Sequence, residues 1–246
     1  MGHSKKIIYG LLTLLVMGCN QPDAPDCFQR GGNWGRVTQD VLPFDELVLQ
    51  DHIAYYLHQD SGYSCRIEGP ENLLNEIELK YNQHQLTISN KNTCNIVRSY
   101  KKTIQVHLYA PSFPSIVDMS TMSIDTPDTL IQSHFKFQQN QAASQSRFLL
   151  HCDSADIQMP YGVGDITLKG ICKKVMLYNG STGIIDSQHL RCHELYCHQA
   201  SIQDVFIQNT GYAYIVISNK GNVYFTGTPD QLDLHITGEG EYLPIP

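Results

Sequence analysis

The 246-residue chain has no apolar run long enough to cross a bilayer. Its one sustained stretch, Ile7 to Val16, is broken only by Gly10 and Thr13 and is about ten residues long, against the roughly 20 a spanning helix needs. This argues against a permanent transmembrane anchor. Basic charge is also scarce, at 17 Lys and Arg against 24 Asp and Glu. Beyond the pairs Lys101-Lys102 and Lys173-Lys174 there is no basic patch, and a nucleic-acid partner needs such a concentration to displace counterions from phosphates. No Gly-x-Ser-x-Gly elbow, His-Glu-x-x-His pair or phosphate-binding loop occurs, so no motif nominates an enzyme class, and neither cofactor nor resident metal is expected. Helix signals are nearly absent. The one candidate is Glu71 to Asn75, after Gly69-Pro70, with room for about one turn.

The N-terminus does carry an address. Lys5 and Lys6 precede the apolar run, which ends in Leu15-Val16-Met17-Gly18-Cys19. That order matches a secretory signal closed by a lipobox, in which cleavage before Cys19 frees it for diacylglycerol attachment. The alternative is an ordinary signal peptide with a chance cysteine. Loss of Lys5 and Lys6 makes the mature chain more acidic than the precursor's formal −7, so any charge-driven partner is cationic. Residues 1–18 are accordingly read as the signal and 19–36, rich in Pro, Asp, Gln and Gly, as a lipidated tether. Residues 37–246 are read as the folded domain. The expected location is the cell envelope, at the outer membrane through the lipid.

From Val37 onward short alternating segments recur, such as Ile77-Glu78-Leu79-Lys80-Tyr81 and Ile104-Gln105-Val106-His107-Leu108. Alternation of this kind marks strands with one buried face. Tyr81 to Gln85 and Ala110 to Pro114 have the composition of turns between them. In the C-terminal half, sliding the sequence by 20 residues places Cys152 on Cys172 and Cys192. It also places Ala155 on Val175, Leu195 and Ile215, and Ile157 on Leu177, Cys197 and Ile217. A further column, Ile185, Val205 and Phe225, has the same step. Columns two residues apart that repeat at a fixed interval predict a β-solenoid with about 20-residue coils. A β-sandwich has no reason to keep a constant interval. Gly162, Gly164, Gly170, Gly180, Gly183, Gly211, Gly221 and Gly227 lie between the apolar runs, where corners with φ > 0 would need them.

Several segments resemble the putative auto-transporter adhesin, head GIN domain family of bacterial lipoproteins. They are Val41 to Leu47, Tyr63 to Ile67, Gly69 to Leu74, Ile77 and Leu86-Thr87-Ile88, then Asn92 to Tyr100, Val106 to Pro111 and Ser218 to Pro229. The closing segment has Asn219-Lys220 before Gly221-Asn222 where the family usually has a Gly-Ser-Gly-Asn character. The resemblance implies an all-β, right-handed parallel β-helix over residues 37 to 229. It assigns no ligand, reaction or catalytic residue.

Several local clusters have both a chemical reading and an ordinary packing one. Cys192-His193-Glu194-Leu195-Tyr196-Cys197-His198 offers thiols and imidazoles to haem or zinc. Cys197, however, falls in an apolar column and Cys192 in the cysteine ladder. That ladder reads as stacked buried thiols, with one bridge plus one free thiol as the alternative. Cys65 and Cys94 form a possible disulfide between neighbouring N-terminal strands. Tyr55-Tyr56, Tyr212 and Tyr214 could stack on sugar rings, while His107, His134, His151 and His235 are too dispersed to nominate a site. Asp153, Asp156, Asp165, Asp186 and Asp204 are scattered among likely corners. The expectation is thus a non-catalytic envelope lipoprotein with a binding or structural surface for a glycan or protein ligand. The alternative is a β-helical polysaccharide lyase or hydrolase, which needs two converging carboxylates.

Overall fold

The computed structural model describes residues 32–92 and 103–245. The lipobox with Cys19, and Cys94 of the Cys65 and Cys94 pairing, lie outside the described residues. Among the described residues the chain is nearly all β, with one short helix, and winds into a β-solenoid of about six turns. The 17 strands of the described residues are linked by backbone hydrogen bonds into a single wrapped sheet.

The N-terminal end is closed by antiparallel pairs. β1 (Trp34–Asp40) runs antiparallel to β4 (Ser64–Pro70), which is antiparallel to β7 (Ile104–Ala110). β5 (Ile77–Asn82) and β6 (Gln85–Asn90) form a hairpin, and between β4 and β5 sits the one-turn helix α1 (Glu71–Leu74) where the sequence placed it. Parallel coils begin with β2 (Glu46–Asp51), which pairs with β6 and with β8 (Ser115–Ser120). Likewise β3 (Ile53–Gln59) pairs with β7 and β9 (Ile124–Asp125). The solenoid therefore extends into the N-terminal half as well, where the chain does not keep the 20-residue interval.

The long strands follow. They are β10 (Leu130–Ala142), β11 (Gln145–Gly162), β12 (Asp165–Asn179), β13 (Ile185–Gln199) and β14 (Val205–Ile217), each parallel to the next. The last coil consists of β15 (Val223–Thr226), β16 (Gln231–Ile236) and β17 (Tyr242–Pro244). Ile166, Leu168, Cys172, Val175 and Leu177 of β12 are all buried. The step of three from Cys172 to Val175 replaces the strand's usual two, so the strand turns a corner there while keeping its apolar side inward. Inward side chains of all the coils merge into one continuous core.

The register confirms three rungs of the expected ladder and corrects the fourth. Ala155, Val175 and Leu195 stack, as do Ile157, Leu177 and Cys197, and Cys152, Cys172 and Cys192. On β14, however, Leu195 pairs with Ala213, Cys197 with Ile215 and Gln199 with Ile217, so Ile215 and Ile217 are displaced by two residues from the columns predicted for them. Similarly, Val205 pairs with Val223, and Phe225 instead pairs with Ile207. This coil is two residues shorter. A change of two preserves in-and-out parity, so the core remains apolar and the sequence pattern conceals the slip.

Two further features were not expected. Gly162, Gly170 and Gly227 do have positive φ, but Gly164, Gly180, Gly211, Gly221 and Gly183 do not. Gly183 is glycine because a Cβ there would overlap the carbonyl oxygen of Gly164 on the preceding coil. In addition, buried amides close the corners from inside. Gln139 Nε2 donates to Ser144 Oγ (2.9 Å), Asn179 Nδ2 to the Gly183 carbonyl (3.2 Å) and Gln199 Nε2 to the Gln203 carbonyl. Asn179 and Gln199 end their strands and Gln139 lies three residues before the end of β10; each reaches across its own loop to a polar group that the core would otherwise leave unpaired.

Candidate binding face

Outward side chains of the C-terminal coils form the most developed surface feature. Because outward residues alternate with the buried columns, the same stacking that builds the core aligns them. Met176, Tyr196 and Tyr214 fall on successive rungs, flanked by Lys174, Glu194 and Tyr212 on one side and Tyr178, His198 and Val216 on the other. Tyr196 lies against Tyr212 at 5.7 Å and Tyr214 at 6.3 Å between ring centroids. Tyr178 meets His198 at 5.4 Å, and Tyr214 meets His235 of β16 at 5.3 Å. Lys174 Nζ sits 4.7 Å from the Tyr196 ring centre, a cation–π contact that covers one face of that ring.

Lys174, Met176, Tyr178, Tyr196, His198, Tyr214 and Val216, together with Asp156 and Gln158 of β11, line an open groove of about 640 Å³; Glu194, Tyr212 and His235 stand outside it. Gln158 Nε2 donates to both Asp156 oxygens at 3.1 Å, and Tyr212 Oη donates to Asp233 at 2.8 Å, which pushes the Tyr212 phenol up to about 12. Among the described residues one carboxylate, Asp156, lines this groove.

The residues nominated from sequence divide between core and surface. Tyr212 and Tyr214 stand on this face, whereas Tyr55 is fully buried and donates to the carbonyl of Gln50 at 2.8 Å. Burial raises its phenol well above the ordinary range. Tyr56 instead joins a second outward cluster. It stacks on His107 at 4.6 Å, while His58 stacks on Tyr109 at 4.6 Å. His58 Nε2 and His107 Nδ1 are 3.0 Å apart, a separation that needs one proton between them. Desolvation lowers both imidazoles. His107 is thus part of a cluster that the linear sequence had dispersed over 50 positions. The Cys192 to His198 segment is split by its strand. Cys192 and Cys197 point inward, where burial pushes their thiols up to about 11 and about 12, and His198 points outward. Among the described residues no group of three or more His, Cys, Asp or Glu is arranged to hold a metal ion. Cys65 is buried in the core as a free thiol.

The model of the putative auto-transporter adhesin, head GIN domain family matches residues 43–229. The chain belongs to this family. Among solved structures, this head GIN domain is similar to a putative adhesin from Bacteroides fragilis, with a TM-score of 0.75 at 18% identity, covering 87% of this chain and 97% of that one. A putative adhesin from Parabacteroides distasonis gives 0.62 at 16% identity, covering 87% and 98%. A protein from the same species described as a putative lipid binding protein gives 0.57 at 14% identity, covering 87% and 98%. At these identities the likeness shows the shared fold. No match is found among curated proteins. In the sequence of this head GIN domain Tyr178 was not singled out, and Tyr196 and His198 were read only within the Cys192 to His198 cluster, not as parts of an outward face. Their signal was available, since they occupy the outward positions beside columns already aligned at 20 residues.

Proposed function

We propose that this adhesin-like protein is a non-catalytic lipoprotein of the cell envelope, anchored to the outer membrane through Cys19, that binds glycan along the aromatic face of β12 to β14. In this reading residues 1–18 are removed on export, 19–36 form the tether and 37–246 the exposed head. The observation that carries the binding reading is the column of Met176, Tyr196 and Tyr214 on adjacent rungs. Rungs repeat at about 4.8 Å, a spacing of the order of one sugar ring along a chain. Tyrosine rings offer flat apolar faces to pyranose C–H groups, and Gln158, Lys174 and His198 place hydrogen-bonding groups beside them for the hydroxyls. An open groove suits an extended polymer better than an enclosed small molecule. Glycoside cleavage needs two opposed carboxylates, and among the described residues this groove is lined by Asp156 alone.

A glycan and host-matrix array probed with the soluble head tests the reading. Tyr196→Ala is expected to weaken binding of the best glycan by about tenfold or more, as loss of a central aromatic anchor does, while leaving thermal stability nearly unchanged because the ring lies outside the core. Undiminished binding would reject this face as the site. The anchor is tested separately: Cys19→Ala should abolish incorporation of labelled fatty acid and release the protein from the membrane fraction, and persistent labelling rules the lipid reading out.

A further inference from the structure

The cysteine ladder has a geometry that neither adhesion nor simple packing requires. Cys152, Cys172 and Cys192 are directly opposed on three consecutive parallel rungs, and such partners have Cα atoms about 4.8 Å apart, inside the window a disulfide accepts. The three thiols are not equivalent. Cys152 Sγ lies 2.9 Å from Cys172 Sγ, so the two sulfurs face each other and are within about 1 Å of bonding distance. Cys192 is turned toward the following rung, where its thiol donates to the Gln208 carbonyl at 3.2 Å and accepts from Asn209 Nδ2 at 3.8 Å. The amide at position 209 occupies the place a fourth cysteine would have had and draws Cys192 away from Cys172.

We infer that Cys152 and Cys172 are a rung-to-rung disulfide site, oxidised by a disulfide-bearing thiol oxidant, with Cys192 left as a thiol. Cys152 is the more accessible of the pair, and its thiolate attacks one sulfur of the oxidant R–S–S–R, forming a mixed disulfide and releasing RS⁻. Cys172, whose S–H donates to the Lys174 carbonyl at 3.1 Å, then loses its proton to solvent and attacks Cys152 Sγ as a thiolate. The second RS⁻ leaves, and the two released RS⁻ ions take up the two protons given up by Cys152 and Cys172. Two protein S–H bonds become one S–S bond, and the two electrons reduce the oxidant to two thiols. The bridge fixes adjacent coils immediately before the corner that leads to Lys174 and the aromatic face. It therefore constrains the register on which that face depends.

The test uses the full chain incubated to equilibrium with oxidised glutathione, then acid-quenched, denatured, alkylated without reductant and cleaved with trypsin. The expected product is the peptide from Phe148 to Lys169 joined to that from Gly170 to Lys173, with Cys192 carrying the alkyl group. The join should vanish on reduction and in Cys172→Ser, and persist in Cys192→Ser. The melting temperature should fall by several degrees on reduction, as expected when a cross-link closing a short loop is opened. Full alkylation of both Cys152 and Cys172, or a join from Cys172 to Cys192, would overturn the assignment. Neither result depends on where the protein resides or what its surface binds.

Discussion

Replacing Asp118 by Ala is expected to destabilise the head by about 3 kcal/mol, read as a fall of roughly 6–12 °C in melting temperature. Asp118 points into the solenoid with no exposed surface. It accepts from the Ser120 amide at 2.8 Å, from the Ser120 hydroxyl at 2.7 Å, from the Ser144 hydroxyl, and from Gln139 Nε2 at 3.4 Å. These donors come from the end of β8, from β10 and from the loop after β10, so the carboxylate ties the corner of one coil to the next. Alanine leaves those donors buried without an acceptor, and that penalty outweighs the removal of a buried charge.

The same site has a pH signature. Burial pushes the Asp118 carboxyl above its ordinary 3.8, against the opposing pull of the hydrogen bonds from Ser144, Ser120 and Gln139. The folded state therefore holds a proton that the unfolded chain has already released, and wild-type stability falls as pH rises through that interval. The variant has no such group. Its deficit relative to wild type should be largest near about pH 4 and shrink toward about pH 7. Chemical denaturation at both values measures this, and a deficit that grows with pH would show that the site favours the ionised form.

Gly183→Ala is expected to cost about 3 kcal/mol or more, at the upper end of what overpacking does. The added Cβ would overlap the Gly164 carbonyl oxygen and press on Met159 Sδ. That oxygen belongs to backbone, and Gly164 is itself packed against the Ser144 carbonyl of the coil before, so the displacement cannot be absorbed by a side chain. Gly62→Ala is the control. A Cβ at Gly62 meets nothing within 4 Å, and the change is expected to remain within about 0.5 kcal/mol. Equal melting temperatures for the two variants would mean that the coil corners are looser than their packing indicates.

Much of this architecture was legible in the linear chain. Alternation in segments such as Ile104 to Leu108 follows from side chains pointing to opposite faces of a strand, and the columns through Cys152, Ala155 and Ile157 repeat because each coil must present the same inward positions to its neighbours. The one-turn helix at Glu71 and the hairpin turn after Tyr81 were likewise local matters of composition. Tertiary structure decided what local pattern cannot carry. Shortening the coil by two residues between β13 and β14 keeps every apolar side chain inward, so hydrophobicity alone could not reveal that Ala213, not Ile215, stacks on Leu195. Gly183 owes its identity to a carbonyl 19 positions away, not to its own φ. Asp118 and Gln139 look like ordinary surface residues until the corner that buries them is closed. Tyr55 and Tyr56 are chemically alike in sequence, yet the pleat sends one to the core and the other to the surface beside His107. Period and parity are properties of single strands and can be read from one chain. Register between coils, and the face that gathers Tyr178, Tyr196 and Tyr214 into one groove, exist only once the strands are stacked.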